Sequence, residues 1–216
     1  MSLFHDPLQI IVLLFLLTLL PLLVVIGTSF VKISIVFSIL RNALGIQQIP
    51  PNMALYGLSL MLTIFIMIPV GIEVKQNIDQ QQIDFKDPNF YEKINSNTLD
   101  PYRLFLKENT KKEQIDFFSK IGKKLWPQQY QSDLNSKSLI VLMPAFSVSQ
   151  LIEAFKIGLL IFLPFIAIDI IVSNVLLAMG MMMVSPMTIS LPFKILVFVL
   201  MGGWEKLISQ LMISYS

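Results

Sequence analysis

The chain has 216 residues, of which 55% are hydrophobic and only 14% charged, with a mean hydropathy of +0.71 and a formal net charge of +2. A soluble domain usually has about a quarter of its residues charged, so the composition argues against a cytosolic enzyme, and the small net charge gives no reason to expect a nucleic-acid partner. The absence of cysteine excludes disulfides, thiol catalysis and Cys-ligated zinc or iron–sulfur sites. The charges are also segregated, with 21 of 30 lying between Glu73 and Lys137. This pattern reads as an all-α integral membrane protein with one polar block. Residues 1–72 form an N-terminal helical hairpin, 73–137 a polar, partly helical block, and 138–216 a C-terminal hairpin.

A bilayer's hydrocarbon core needs about 20 mostly apolar residues per helix. No charge occurs from Pro7 to Val31; Lys32 then intervenes, and the apolar pattern continues from Ile33 to Leu40. This is longer than one span, so a kink or break is expected at Pro21 and Gly27. Asn42, Gly45, Gln47, Gln48, Pro50 and Pro51 supply turn chemistry. The uncharged stretch from Asn52 to Ile72 is the second arm, expected to end near Pro69 and Gly71. A cleavable signal peptide is not expected, because the first six residues carry His5 and Asp6 but no Lys or Arg. Lys32 and Arg41 flank the first turn, so the positive-inside rule places that turn in the cytoplasm and the termini and polar block outside.

Within the polar block, residues 76–98 are rich in Asn, Gln and Asp and read as surface loop. Asp100 is placed to cap a helix opening at Pro101. Thr110 and Glu113 match a capping box, and Ile115, Phe118, Ile121 and Leu125 then share one apolar face up to Pro127. A second box at Ser147 and Gln150, with Phe146 and Leu151 as a hydrophobic staple, predicts a long helix reaching residue 178 from about 148. Another helix is predicted over 192–212, after a Met- and Pro-rich connector. The block reads either as a solvated cap that orients the helices or as a docking surface for a neighbouring subunit. Broken backbone at membrane depth is tolerated only where it is buried in protein or lines a cavity, so breaks in both halves suggest a pathway.

Candidate chemistry is sparse. His5 is the only histidine, so no His-pair metal site or Ser-His-Asp triad can form within one chain. No phosphate loop or dinucleotide fingerprint occurs among the nine glycines. No cofactor, metal ligand or catalytic residue is expected, and the chain does not read as an enzyme. Two features stand out. Five of the twelve methionines fall between Met179 and Met187, including Met181, Met182 and Met183. They are either adaptable filler in a helix interface or a yielding seal. The second feature is a set of charges within apolar segments: Lys32, Glu153, Lys156, Asp169 and Lys194. Each costs on the order of 3 kcal/mol at the bilayer centre unless it finds a partner or water. The lysines either snorkel to an interface or meet partners. Asp169 is too short to snorkel far and needs a partner or a polar cavity. A small-solute or ion transporter using Asp169 is the alternative functional reading.

The run Thr28-Ser29-Phe30-Val31-Lys32, followed by Leu40-Arg41-Asn42-Ala43-Leu44-Gly45-Ile46-Gln47-Gln48-Ile49-Pro50-Pro51-Asn52, resembles the first hairpin of the type III secretion R protein, the SctR family. The flagellar homologue of that family is FliP. The second half is similar too, through Ala154-Phe155-Lys156-Ile157-Gly158, Leu163-Pro164-Phe165, Ile168-Asp169, Met179 to Lys194, and Gly203-Trp204. Asn42 and Ile49 resemble the injectisome branch, since flagellar members carry Gln and Thr at these places. Gly202 departs from the pattern, where many relatives have Asp. The resemblance implies an export-gate subunit in the bacterial inner membrane, with a part on the periplasmic side. It implies several copies, five in the expected assembly, with S and T export-apparatus proteins, other apparatus components, secreted protein substrates and membrane lipid as partners. It implies that Met181, Met182 and Met183 form a gasket narrowing the closed pore, and that Asp169 and Lys194 occupy a charged-pair position, paired within one chain or between copies, since a simple hairpin leaves the two residues at different depths.

Overall fold

The computed structural model describes residues 7–46, 49–80 and 98–215. Among these residues every regular element is helical. The first half holds α1 (Pro7–Ile26), α2 (Phe30–Leu44) and α3 (Asn52–Gln80). The polar block contributes α4 (Asp100–Glu108), α5 (Lys112–Leu125) and a 3₁₀ turn (Gln128–Asp133). The second half holds α6 (Leu139–Ala178), α7 (Pro186–Leu200) and α8 (Gly203–Ile213). By length and composition, α3 and α6 can each cross a membrane alone. The last ten residues of α1 with α2, and α7 with α8, qualify only as bent pairs, at 66° and 60°. The protein is an all-α membrane protein.

The interior is organised around α2. This helix buries Ile33, Val36 and Phe37 against Leu55 of α3, Ala154 of α6 and Leu211 of α8. Further along, Leu40, Ala43 and Leu44 meet Phe165 of α6 and Phe198 of α7. Phe198 and Phe37 both set their rings edge-on to Trp204 at the start of α8, a geometry aromatic quadrupoles favour. The seam between α2 and α6 is close enough to require glycine. A Cβ at Gly158 would lie 2.3 Å from Ile39 Cδ1 and 3.0 Å from its Cγ2. A separate core joins the polar block to α6: Phe105, Leu106 and Ile115 pack on Val141, Leu142, Ala145 and Phe146, flanked by Ile66, Met67 and Val70 of α3.

The break between α1 and α2 falls at Gly27, whereas Pro21 lies inside α1. The carbonyls freed at the break find donors from elsewhere in the chain. Tyr102 of α4 donates to Gly27 O at 2.8 Å, and Ser147 of α6 donates to Ile26 O at 3.1 Å. Burial pushes the Tyr102 phenol up to about 12, so it remains a donor through the physiological range. Such pairing is what allows irregular backbone away from water.

Several expected boundaries are corrected. α3 does not stop near Pro69 and Gly71 but continues to Gln80, because its Val70 and Met67 pack on the α4–α6 core. Asp100 is inside α4, with Leu99 at the cap, and pairs with Arg103 at 2.9 Å instead of capping. Thr110 forms no capping box. Its hydroxyl donates back to Leu106 O, and the Lys111 amide donates to Ser149 Oγ of α6. Ser147 is likewise no cap, since α6 already runs from Leu139 and the serine's one hydroxyl proton is shared between Met143 O, within the helix, and Ile26 O at the α1–α2 break. In both cases the hydroxyl bonds back to the carbonyl four residues earlier instead of capping a helix start. On α5 Ile115 is buried, but Leu125 is exposed. The predicted 192–212 helix starts earlier, at Pro186, and is interrupted at Met201 and Gly202. Gly202 has φ +63, a conformation open to glycine without steric cost. In the expected 76–98 loop, 76–80 belong to α3, Thr98 is buried, and 81–97 lie outside the described residues, as do His5, Asp6, Gln47 and Gln48.

The seam generates a test. Gly158→Val should lower stability by about 2 kcal/mol through overpacking, read by denaturant unfolding in mild detergent. Adding Ile39→Ala should recover at least half of that loss, because the methyl groups being struck are then gone.

Candidate functional site

The methionine-rich connector is a built turn. α6 ends at Ala178 and Met179 is its cap. Gly180 follows with φ +73. Its amide bonds to Leu177 O and the Met181 amide to Leu176 O, both at 3.0 Å. This paired 5→2 and 6→1 pattern is a Schellman motif, which satisfies the carbonyls a helix end leaves open. The chain then passes Met182 and Met183 and enters α7 through extended Ser185, with Pro186 in its first turn, where a missing N–H costs nothing. The motif stops the helix at a fixed residue and therefore fixes which side chains project from the hairpin tip. Met182 is 81% exposed and Met183 fully so, while Met181 is 44% exposed. Behind the tip, α6 and α7 enclose an apolar groove of about 470 Å³ bordered by Val172, Met179, Ile189 and Phe193.

The same hairpin brings two charges together. Lys194 Nζ donates to Asp169 Oδ2 at 2.6 Å within the chain. The expected depth mismatch does not arise, because α7 begins at Pro186 and Lys194 is not at its start. Asp169 lies nine residues before the end of α6 and Lys194 eight after the start of α7. Each is therefore about 13 Å from the tip along its helix. Ser190 donates to the other carboxylate oxygen at 2.6 Å. The Lys194 ammonium also donates to Ala43 O at 3.2 Å. Ala43 is in the last turn of α2, where carbonyls lack helical partners and the helix dipole favours a cation. One ammonium thus joins α2, α6 and α7. The pair is asymmetric: the Lys194 side chain is 4% exposed and that of Asp169 40%.

The other charges of the apolar segments lie elsewhere. Lys32 is buried and donates to Ser214 Oγ at 2.7 Å, with its ammonium 4.2 Å from the centre of the Tyr215 ring. Glu153 pairs with Lys111 of the polar block, and Lys156 approaches the same carboxylate at 3.7 Å with most of its side chain exposed. Sequence reading missed Ser190, Ala43, Ser214 and Tyr215. Nothing in their local pattern distinguishes them, since their roles come from partners more than 20 residues away. Among the described residues no cluster of His, Asp and Glu could hold a metal ion.

The FliP family profile matches residues 13–211. The virulence protein YscR of Salmonella typhimurium is 54% identical over 216 residues, covering 100% of both chains. The Yop proteins translocation protein R of Yersinia pestis is 54% identical over 210 residues, 97% of each chain. The harpin secretion protein HrcR of Erwinia amylovora is 43% identical over 210 residues, again 97% of each.

The asymmetry of the ion pair sets an order for its variants. Asp169→Leu strands a buried ammonium and should cost about 3 kcal/mol, the lower end for breaking a buried pair because Asp169 is partly exposed. Lys194→Met leaves a carboxylate that still accepts from Ser190 and can reach its surroundings, and should cost about half as much. The double variant should be more stable than Asp169→Leu alone, since the stranded charge is removed. Unfolding of the three proteins in detergent micelles checks the order; equal losses in the two single variants would contradict it.

Proposed function

This chain belongs to the FliP family, and on that premise we propose that it is a core subunit of a type III secretion export gate. In this reading several copies, five in the expected assembly, surround an axis in the bacterial inner membrane, with the polar block on the periplasmic side. The S and T export-apparatus proteins and other apparatus components complete the conduit, and unfolded secreted proteins pass through it. The chain supplies a path and a seal rather than a catalyst. The relatives' names, which refer to virulence, Yop translocation and harpin secretion, support this reading.

The observation that carries the proposal is the hairpin tip. A Schellman turn places Met181, Met182 and Met183 at the end of α6, with Met182 and Met183 almost wholly exposed and Met181 partly so. Filler in a core would be buried by its own chain. Copies around an axis would bring these side chains together repeatedly. Methionine is unbranched and flexible, so a ring of such residues can close without one fixed packing and reshape around a passing chain. The wide apolar exposure of α3, α6 and α7, including Phe65, Leu160, Ile171 and Val199, suits burial by neighbouring subunits and lipid. Two apolar spans and two bent pairs suit the same setting, because bent backbone is then surrounded by protein. The transporter alternative is weakened by the geometry. Both oxygens of Asp169 are already engaged, by Lys194 and Ser190.

Replacing Met181, Met182 and Met183 together with Ala should raise dye or ion flux across the inner membrane while the oligomer still forms on native gels. Replacement with Leu, close in volume but stiffer, should leak less and slow secretion. A triple Ala variant that assembles and keeps the membrane as tight as wild type would remove the seal from the proposal.

A further inference from the structure

The chain's last residues meet a cluster of buried polar groups that the export reading does not use. Lys32 lies in α2, where a charge needs partners. It finds them 182 residues later, in the Ser214 hydroxyl at 2.7 Å and the Tyr215 ring at 4.2 Å. The Tyr215 phenol donates to Gln150 Oε1 at 2.6 Å. Gln150 is 2% exposed and in turn donates to Asn109 O, at the end of α4, at 2.7 Å. The Tyr215 ring also stacks on Phe105 of α4, with centroids 6.1 Å apart and planes 14° from parallel. Tyr215 therefore touches α2, α4 and α6 at once, through a cation, a ring and a hydrogen bond.

We propose that Ser214 and Tyr215 form a C-terminal latch that clamps the polar block onto the α2–α6 seam. The geometry makes the clamp local. On one side of the phenol lie the α4 ring and, through Gln150, the α4 carboxyl end. On the other lies a buried ammonium that loses its π partner if Tyr215 leaves. Gln150 would then keep its donor to Asn109 but lose the donor to its own oxygen. The seam deeper along α2 has its own apolar packing, so it should stay closed when the latch opens.

The native chain contains no cysteine, so single introduced thiols report opening cleanly. Thr110→Cys probes the block, and Ala154→Cys probes the seam; both positions are buried. The full-length chain in nanodiscs is labelled with a maleimide. Tyr215→Leu should speed labelling at residue 110 by about 30-fold, the combined worth of the hydrogen bond and the cation–π contact. Labelling at residue 154 should change less than about twofold, as expected for a site outside the disrupted network. Tyr215→Phe keeps the ring and should speed labelling at 110 by about fivefold, the worth of one hydrogen bond. Lys32→Met in the Tyr215→Leu background should slow labelling at 110, because the orphaned charge is removed. Equal acceleration at both thiols, or none at 110, overturns the latch. If Tyr215→Leu does not fold, Tyr215→Phe decides by the same criterion. The readout does not involve secretion, so it can fail or succeed independently of the export reading.

Discussion

A buried helix in an apolar protein must satisfy every polar group it carries without water, and α2 is the helix on which this constraint falls hardest. Its core side chains are closed off by α3, α6, α7 and α8. It nevertheless carries Lys32 near its start and open carbonyls at its end. Distant residues meet Lys32, through Ser214 and Tyr215, and the Ala43 carbonyl, through the Lys194 ammonium, while the Arg41 and Asn42 carbonyls are closed by the Ile46 and Gly45 amides of the same turn. Uncompensated charge or backbone at such sites costs several kcal/mol. The two lysines therefore determine where the chain's last turn and the α6–α7 hairpin can sit relative to α2.

The same constraint governs the breaks. At Gly27 the freed carbonyls accept from Tyr102 and Ser147. At Gly180 the chain closes its own helix end by a Schellman pattern. The difference between the two has a structural consequence. A break satisfied by other elements is pinned into the body of the protein. A break satisfied within its own turn can stand at a tip with its side chains free, as Met182 and Met183 do.

These two kinds of turn divide the molecule's labour. The polar block, by packing on α3 and α6 and by bonding to the α1–α2 break, holds the hairpins in register. The Asp169–Lys194 pair lies about 13 Å behind the methionine tip and ties α6 to α7 and to the end of α2. A tip backed in this way can carry flexible side chains without the hairpin itself opening.

Composition and periodicity alone established the membrane class, the helical fold, the polar block and the turn regions. Long uncharged runs have few alternatives in lipid, and Pro and Gly limit a helix locally. The residues of the candidate site also stood out, because methionines in a cluster and charges in apolar segments are rare, but the seal reading of the methionines came from the family resemblance and not from the residues alone. Three kinds of information were not. Helix starts were misplaced at Asp100, Thr110 and Ser147 because a capping pattern is a local offer, and other bonds took the same side chains: Asp100 pairs with Arg103, Thr110 and Ser147 bond back to carbonyls four residues earlier, and the Lys111 amide goes to Ser149 of α6. The partner of Asp169 depended on where α7 begins, and Pro186, rather than the later Pro192, opens that helix. The partners of Lys32 lie at the far end of the chain, and no sequence spacing announces a contact across 182 residues. Local chemistry decides what each segment can be; only the closed structure decides which buried groups must meet, because their cost is set by what surrounds them.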